Sequence, residues 1–243
     1  MGHWGLTADQ FAALWHGTGQ DRLPYPVRVV SDALTAAEYE TCRRVDRERF
    51  GGPAHDLLEA ALLILAEPEL RIEVAGRYGP DRVPIRMLGA MSRGHGVVAV
   101  QQPDVDGRSG PVVLRGCEPY DLVRQLVSQI PDVDAGGARP VAVPRRGSSP
   151  AGATRGAQDD AHVRREFEAV VNRPDFGQGV VTVVRGSRLS GRRVGGAAWR
   201  DIVGDGRYLV FGESTVTVRP GTAWDLLAGI TAVVGEVPAG QAR

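Results

Sequence analysis

The sequence predicts an α+β protein whose sheet is mainly antiparallel and whose two halves are related about a pseudo-twofold axis. Three observations carry this. Val112 to Val123 reads VVLRGCEPYDLV, and Val216 to Leu227 reads VTVRPGTAWDLL. Without a gap, Val112 matches Val216, Leu114 matches Val218, Arg115 matches Arg219, Tyr120 matches Trp224, Asp121 matches Asp225 and Leu122 matches Leu226. The match continues into the following helix, Leu126 with Ile230 and Ile130 with Val234. Upstream of each block the order of elements agrees, a helix and then strands. The links between successive strands are too short for parallel crossovers.

The elements follow in order. Thr7-Ala8-Asp9-Gln10 is a capping box, and Phe11, Leu14 and Trp15 share one helical face. Gly17 and Gly19 stop that helix. Leu23-Pro24-Tyr25-Pro26-Val27 reads as extended, because residues before proline avoid the helical region, and Arg28-Val29-Val30 continues it as a strand. Thr35-Ala36-Ala37-Glu38 is a second capping box and opens a polar helix ending near Phe50. Ala54 to Ala66 reads as an apolar helix buried on most sides.

Glu69 to Val74 alternates as a half-buried strand. Val83 to Met91 and Val97 to Gln101 follow as strands, and Asp104 to Gly110 is a polar hairpin loop. The second half repeats the plan. A helix at Ala161 to Val171 sets Val163, Phe167, Val170 and Val171 on one face. Strands follow at Gly179 to Arg185, Arg193 to Arg200 and Arg207 to Phe211, with a tight turn at Asp205-Gly206. Arg145 to Gln158, rich in Gly, Ser, Pro and Arg, reads as a flexible loop where trypsin cuts first. The chain is thus one domain over residues 1–243, with halves at about 1–144 and 159–243 joined by loop 145–158.

Composition excludes several classes. The 243 residues carry a formal net charge of zero, which favours neither nucleic acid nor an anionic membrane. There is no lysine, so Schiff-base chemistry and a P-loop lysine are both absent. Two distant cysteines, Cys42 and Cys117, form no Cys-x-x-Cys. No charged run followed by an apolar stretch opens the chain, which predicts no signal peptide, and no run is long enough to span a membrane. The expectation is a soluble cytoplasmic protein.

No catalytic constellation is legible. His-Glu-x-x-His, Gly-x-Ser-x-Gly and Gly-x-Gly-x-x-Gly motifs are missing, and the five histidines are scattered without metal-ligand spacing. Pro103-Asp104-Val105-Asp106-Gly107 lacks the closing glutamate of a calcium loop and reads as a hairpin turn. Asp121 and Asp225 lie in first helical turns, where an acid meets the helix dipole favourably. Tyr120 and Trp224 read as core or rim aromatics at equivalent positions. No metal, cofactor or catalytic residue is expected.

Several segments together resemble the EspG family, the cytoplasmic chaperones of type VII (ESX) secretion systems in actinobacteria. They are the Leu6-Thr7-x-x-x-Phe11-x-x-Leu14-Trp15 helix with Leu23-Pro24-Tyr25-Pro26-Val27, and the passage from Leu62 to Val74. The C-terminal run adds Phe176-Gly177-x-Gly179-Val180, Gly206-Arg207-Tyr208 and Val216-Thr217-Val218-x-Pro220 before a terminal helix. The resemblance implies a central twisted antiparallel sheet flanked by helical bundles. It also implies that the protein holds the apolar tip of a helical PE–PPE-like heterodimer, keeps it soluble and directs it to its secretion machinery. Two other classes stay open: a self-associating structural or regulatory protein, as a homodimer, and a hydrolase with an unrecognised acidic site.

For a partner surface, the strands supply Ile85, Arg86, Met87 and Met91 in the first half and Trp199 with Arg200 in the second. Methionine adapts to a partner, Trp and Arg are enriched at interface hot spots, and arginine can meet unpaired helix-end carbonyls. The competing reading is that the methionines and Trp199 fill the core.

Overall fold

A computed structural model describes residues 2–31, 33–105, 108–144, 157–212 and 214–235. The expected loop 145–158 lies outside the described residues, except Ala157 and Gln158, which open a helix. Among the described residues, ten strands form a sheet in the order β1-β5-β4-β3-β2-β7-β8-β9-β10-β6. They are β1 (His3–Leu6), β2 (Leu70–Tyr78), β3 (Val83–Ser92), β4 (His95–Gln101), β5 (Val112–Cys117), β6 (Val141–Pro144), β7 (Asp175–Arg185), β8 (Arg192–Ile202), β9 (Gly206–Phe211) and β10 (Thr215–Pro220). The helices are α1 (Ala8–Gly17), α2 (Ala36–Arg49), α3 (Asp56–Ala66), α4 (Leu122–Val127), α5 (Ala157–Val171) and α6 (Ala223–Gly235). The chain divides into two compact units. The first is Met1–Ala75, Pro84–Leu126 and Val184–Arg193, and the second is Gly76–Val83, Val127–Val183 and Val194–Arg243.

In the first unit both expected capping boxes form. Thr7 Oγ1 accepts from Gln10 N (3.2 Å) while Gln10 Oε1 accepts from Thr7 N (3.0 Å), and Thr35 with Glu38 does the same for α2. Phe11 and Trp15 of α1 join Leu58, Leu62 and Leu65 of α3 over one face of the sheet, against Leu88, Ala99 and Leu114. On the other face α4 lies over Gly89, where a Cβ would come within 2.7 Å of Leu126 Cδ1. The hairpin tip at residues 184–193 is pinned here by Arg188, which donates to Leu65 O at the end of α3 (2.7 and 3.1 Å) and lies over the Trp15 ring (4.8 Å). Burial lowers the pKa of that arginine to about 10.

The second unit uses the same two layers. Phe167, Val170 and Val171 of α5 pack with Tyr208, Val218, Val141 and Val210 on one face. On the other face α6 sits close to the strands: a Cβ on Gly195 would reach Val233, and one on Gly229 would reach Phe211.

The repeat is written into the register. In the first unit Leu114 pairs with Trp4 on one side and Ala99 on the other, and Ala99 pairs with Leu88. In the second, its match Val218 pairs with Val141 and Val210, and Val210 pairs with Ala198. Each four-stranded meander therefore receives an antiparallel edge strand on its last strand, β1 on β5 and β6 on β10, at the same residue. The connections differ most in the last link: residues 102–111 join β4 to β5, whereas 212–214 suffice between β9 and β10.

The structure corrects five readings. Arg28 to Val30 is not a strand. Its backbone is satisfied by side chains, with Gln101 Oε1 accepting from Arg28 N, Gln101 Nε2 donating to Arg28 O, and Ser109 Oγ accepting from Val30 N. Leu23 to Val27 is not extended throughout, since a turn closes from Val27 N to Pro24 O (2.9 Å). α3 begins at Asp56, after a short 3-10 turn, and is not buried on most sides: Leu57 is 72% exposed and Leu63 42%. The helix after the first repeat block ends at Val127 rather than Ile130. Edge strands β1 and β6 had no counterpart in the sequence reading.

Candidate protein-binding site

The residues expected on a partner surface fall on β3 and β8. Met87 is fully buried in the first unit and Trp199 in the second, so both take the core-filling role. Trp199 fits because β7 and, beyond it, β2 carry glycine under the ring. A Cβ on Gly179 would come within 2.1 Å of the indole, and one on Gly76 within 2.9 Å. Arg86 is closed onto Asp104 by two hydrogen bonds (2.9 and 3.2 Å), which clamp the longer β4–β5 loop. That contact comes first among the causes holding the Asp104 carboxyl below its usual range. Arg200 donates to Asp175 Oδ2 (2.6 Å), whose other oxygen accepts from Arg82 (2.7 Å). Ile85 and Met91 are half-buried. Within each unit these residues mostly build strand packing and closed ion pairs; they do not make an open apolar surface.

The second-unit motif residues form a polar core that charge patterning does not reveal. Arg207 and Asp201 are both fully buried and joined twice, Nε to Oδ1 (2.7 Å) and Nη2 to Oδ2 (3.0 Å). Arg207 Nη2 also donates to Pro131 O (2.7 Å). Gly177 leaves room for the acid, since a Cβ there would lie 2.5 Å from Asp201 Oδ2. Tyr208 donates to Asp205 Oδ2 (2.7 Å) and accepts from Ala138 N (2.7 Å). Asp205 also accepts from Gly137 N and pairs with Arg173. The Phe176-Gly177-x-Gly179 and Gly206-Arg207-Tyr208 segments therefore make room for, and supply, this network.

At the matched helix starts, Asp225 accepts from Thr222 N (2.9 Å), and Asp121 is held by Arg124 (2.5 and 2.7 Å) and Gln125 (3.1 Å). Both carboxyls lie below their usual range, Asp225 chiefly through the Thr222 N–H and Asp121 through Arg124. These are structural acids. Their aromatic neighbours are on the rim, Tyr120 at 85% and Trp224 at 74% exposure.

Open apolar surface gathers instead around α3 in the first unit. One flank of α3 faces a groove of about 280 Å³ lined by Trp4, Leu57, Ala60, Ile64, Cys117 and Glu118 among others. The opposite flank, with Glu59 and Leu63, faces a smaller cleft of about 210 Å³ next to Arg47 and Phe50. This groove was missed because Leu57 and Ile64 read as core residues of an apolar helix. The detectable signal was that α3 has more apolar residues than one buried face needs, with Asp56 and Glu59 as its only charges, while the helix before the second meander is amphipathic. Among the described residues no set of His, Cys, Asp or Glu comes together as metal ligands, and no helix is long and apolar enough to cross a membrane.

The sequence model of the EspG family matches residues 7–240. No curated protein matches the chain. Among solved structures, the chain is similar to the Mycobacterium tuberculosis type VII secretion system chaperone EspG5, determined in complex with the PE25-PPE41 dimer. The likeness covers 99% of both chains at 14% identity, with a TM-score of 0.66.

Proposed function

The chain belongs to the EspG family, and from that premise we propose that it is a cytoplasmic chaperone of a type VII secretion system. It binds the apolar tip of a PE–PPE-like heterodimer, keeps the pair soluble and hands it to its own secretion machinery. The observation that carries this reading is the family match over nearly the whole chain. The likeness in fold to a chaperone solved with such a dimer supports it. The physics is consistent: a helical client with an apolar tip aggregates unless another surface covers it. The activity is binding without chemistry, and both halves act within one domain of residues 1–243.

Co-expression with a PE–PPE pair encoded beside this chain's gene tests the reading. The expected result is a stable complex by gel filtration and a pair that precipitates when produced alone. A pair that stays soluble alone and elutes apart from this chain contradicts it.

A further inference from the structure

The turn between β7 and β8, residues 186–191, closes on the first unit through one side chain. Ser187, Leu189, Ser190 and Gly191 are exposed, Leu189 completely. The two serines brace each other, Ser187 Oγ accepting from Ser190 N (3.1 Å) and lying 2.9 Å from Ser190 Oγ. The tip therefore brings no apolar side chain to the unit, and Arg188 is the one that turns inward. At the base of the tip Gly186 N donates to Glu69 O (2.8 Å), and Arg71 Nη1 donates to Ser187 O (3.3 Å). Arg71 is itself paired with Glu73 (2.8 Å).

Arg188 enters a cation site built by other elements. Leu65 lies in the last turn of α3, and the N–H four residues on, that of Glu69, donates to Met91 O instead (3.0 Å). α3 has no basic residue in its last turn. An orphan carbonyl at the negative end of a helix attracts a cation. Arg188 meets it with Nη2 (2.7 Å) and Nε (3.1 Å). The Trp15 ring is buried beneath, fixed by its Nε1–H to Arg22 O (2.7 Å), and gives the guanidinium an aromatic face at 4.8 Å. The hold is opposed. Burial first and the like charge of Arg71 second draw the Arg188 pKa down to about 10, while Glu73 acts the other way. The tip is thus fastened chiefly at one point, by a charge that its surroundings partly resist.

We propose that residues 186–191 form a releasable latch, and that the Trp15 ring and the Leu65 carbonyl form a guanidinium site which Arg188 plugs from within the chain. When the tip swings out on its strands, the site stands open to an alkylguanidinium of the kind an arginine side chain carries. The latch operates whether or not the chain binds a secretion client.

Hydrogen exchange on the full chain reads the latch, with Arg188→Ala, Arg188→Met and Arg188→Lys beside wild type. The expected result is exchange at least about tenfold faster across 186–193 in the alanine and methionine variants, with α1 and β4 keeping wild-type protection. Arg188→Lys falls between, since an ammonium reaches the carbonyl but neither bonds it twice nor lies flat on the indole. Ethylguanidinium at about 10 mM, far below denaturing concentrations, raises the melting temperature of Arg188→Ala and leaves wild type, whose site is plugged, unmoved. Tip amides that stay protected in Arg188→Ala and Arg188→Met overturn the latch. Protection lost across α1 and β4 in both variants makes Arg188 a part of the core and also overturns it. An alanine variant that ethylguanidinium does not stabilise, or a wild type stabilised equally, overturns the guanidinium site.

Discussion

Helices α3 and α5 hold the same place in their repeats, each running into the first strand of a four-stranded meander, and they meet solvent differently. α5 is amphipathic and shows charge outward. α3 sets exposed leucines among its outward acids, leaving Leu57 and Leu63 uncovered beside Asp56 and Glu59. The strands beneath show the converse. The second unit buries a charged pair, Asp201 with Arg207, whereas the first keeps its arginine–aspartate clamp, Arg86 with Asp104, partly exposed. A common register therefore fixes where the backbone runs, and side chains decide which unit carries polar groups inside and which carries apolar groups outside.

The ion pairs give the largest expected effect. Asp201→Leu leaves the Arg207 guanidinium buried without its acid, and breaking such a pair costs about 3–5 kcal/mol. Adding Arg207→Met should recover much of the loss, because an apolar pair strands no charge. Arg86→Met, at the partly exposed pair of the first unit, should cost less than about 1 kcal/mol. Denaturant midpoints measure all three; equal losses at the two pairs would break the comparison.

The next effect concerns close packing. Gly179→Ala places a methyl where the Trp199 ring now lies, and the indole must shift at a cost of about 1–3 kcal/mol. In the first unit Gly89→Ala meets the flexible ends of Leu122 and Leu126, so the smaller loss is expected there. Thermal unfolding of the two variants ranks them.

Acid should act through the second-unit network. The Asp205 carboxyl is held low, first by the Gly137 N–H, then by Tyr208 and Arg173. Because its folded value lies below the unfolded one of about 3.9, its contribution is present above that value and is lost as pH falls through the folded value. The stability gap between wild type and Asp205→Asn is therefore widest at neutral pH and closes below about pH 4. A gap that stays constant from pH 7 to pH 3 contradicts the assigned cause.

The smallest effect is chemical. Cys42 is exposed and Cys117 is buried with its thiol pushed up to about 11, so a thiol reagent at neutral pH should modify Cys42 alone in the native protein. Rapid native labelling of Cys117 would mean that the groove lining opens far more than its packing allows.

Much of this frame was legible in the sequence. The capping boxes at Thr7 and Thr35 and the gapless match of Val112–Val123 to Val216–Leu227 each rest on local patterns that the backbone obeys. What escaped depends on side chains meeting across the fold. Arg28–Val30 looked like a strand, but the Gln101 amide supplies the partners a ladder would have given. Strands β1 and β6 are four residues each, too short for alternation to register. Nothing in the sequence marks Arg207 as buried; that depends on Gly177 making room for its acid. Met87 and Trp199 carry interface chemistry, and only burial shows that it is used inside. Leu57 carries core chemistry and lies outside.

Hydrogen exchange on the full chain, alone and mixed with a PE–PPE pair, tests the chaperone reading most directly. The account predicts that the pair adds protection to the chain while the second unit's buried Asp201–Arg207 pair stays protected throughout. Exchange that the pair leaves unchanged at every amide contradicts the account.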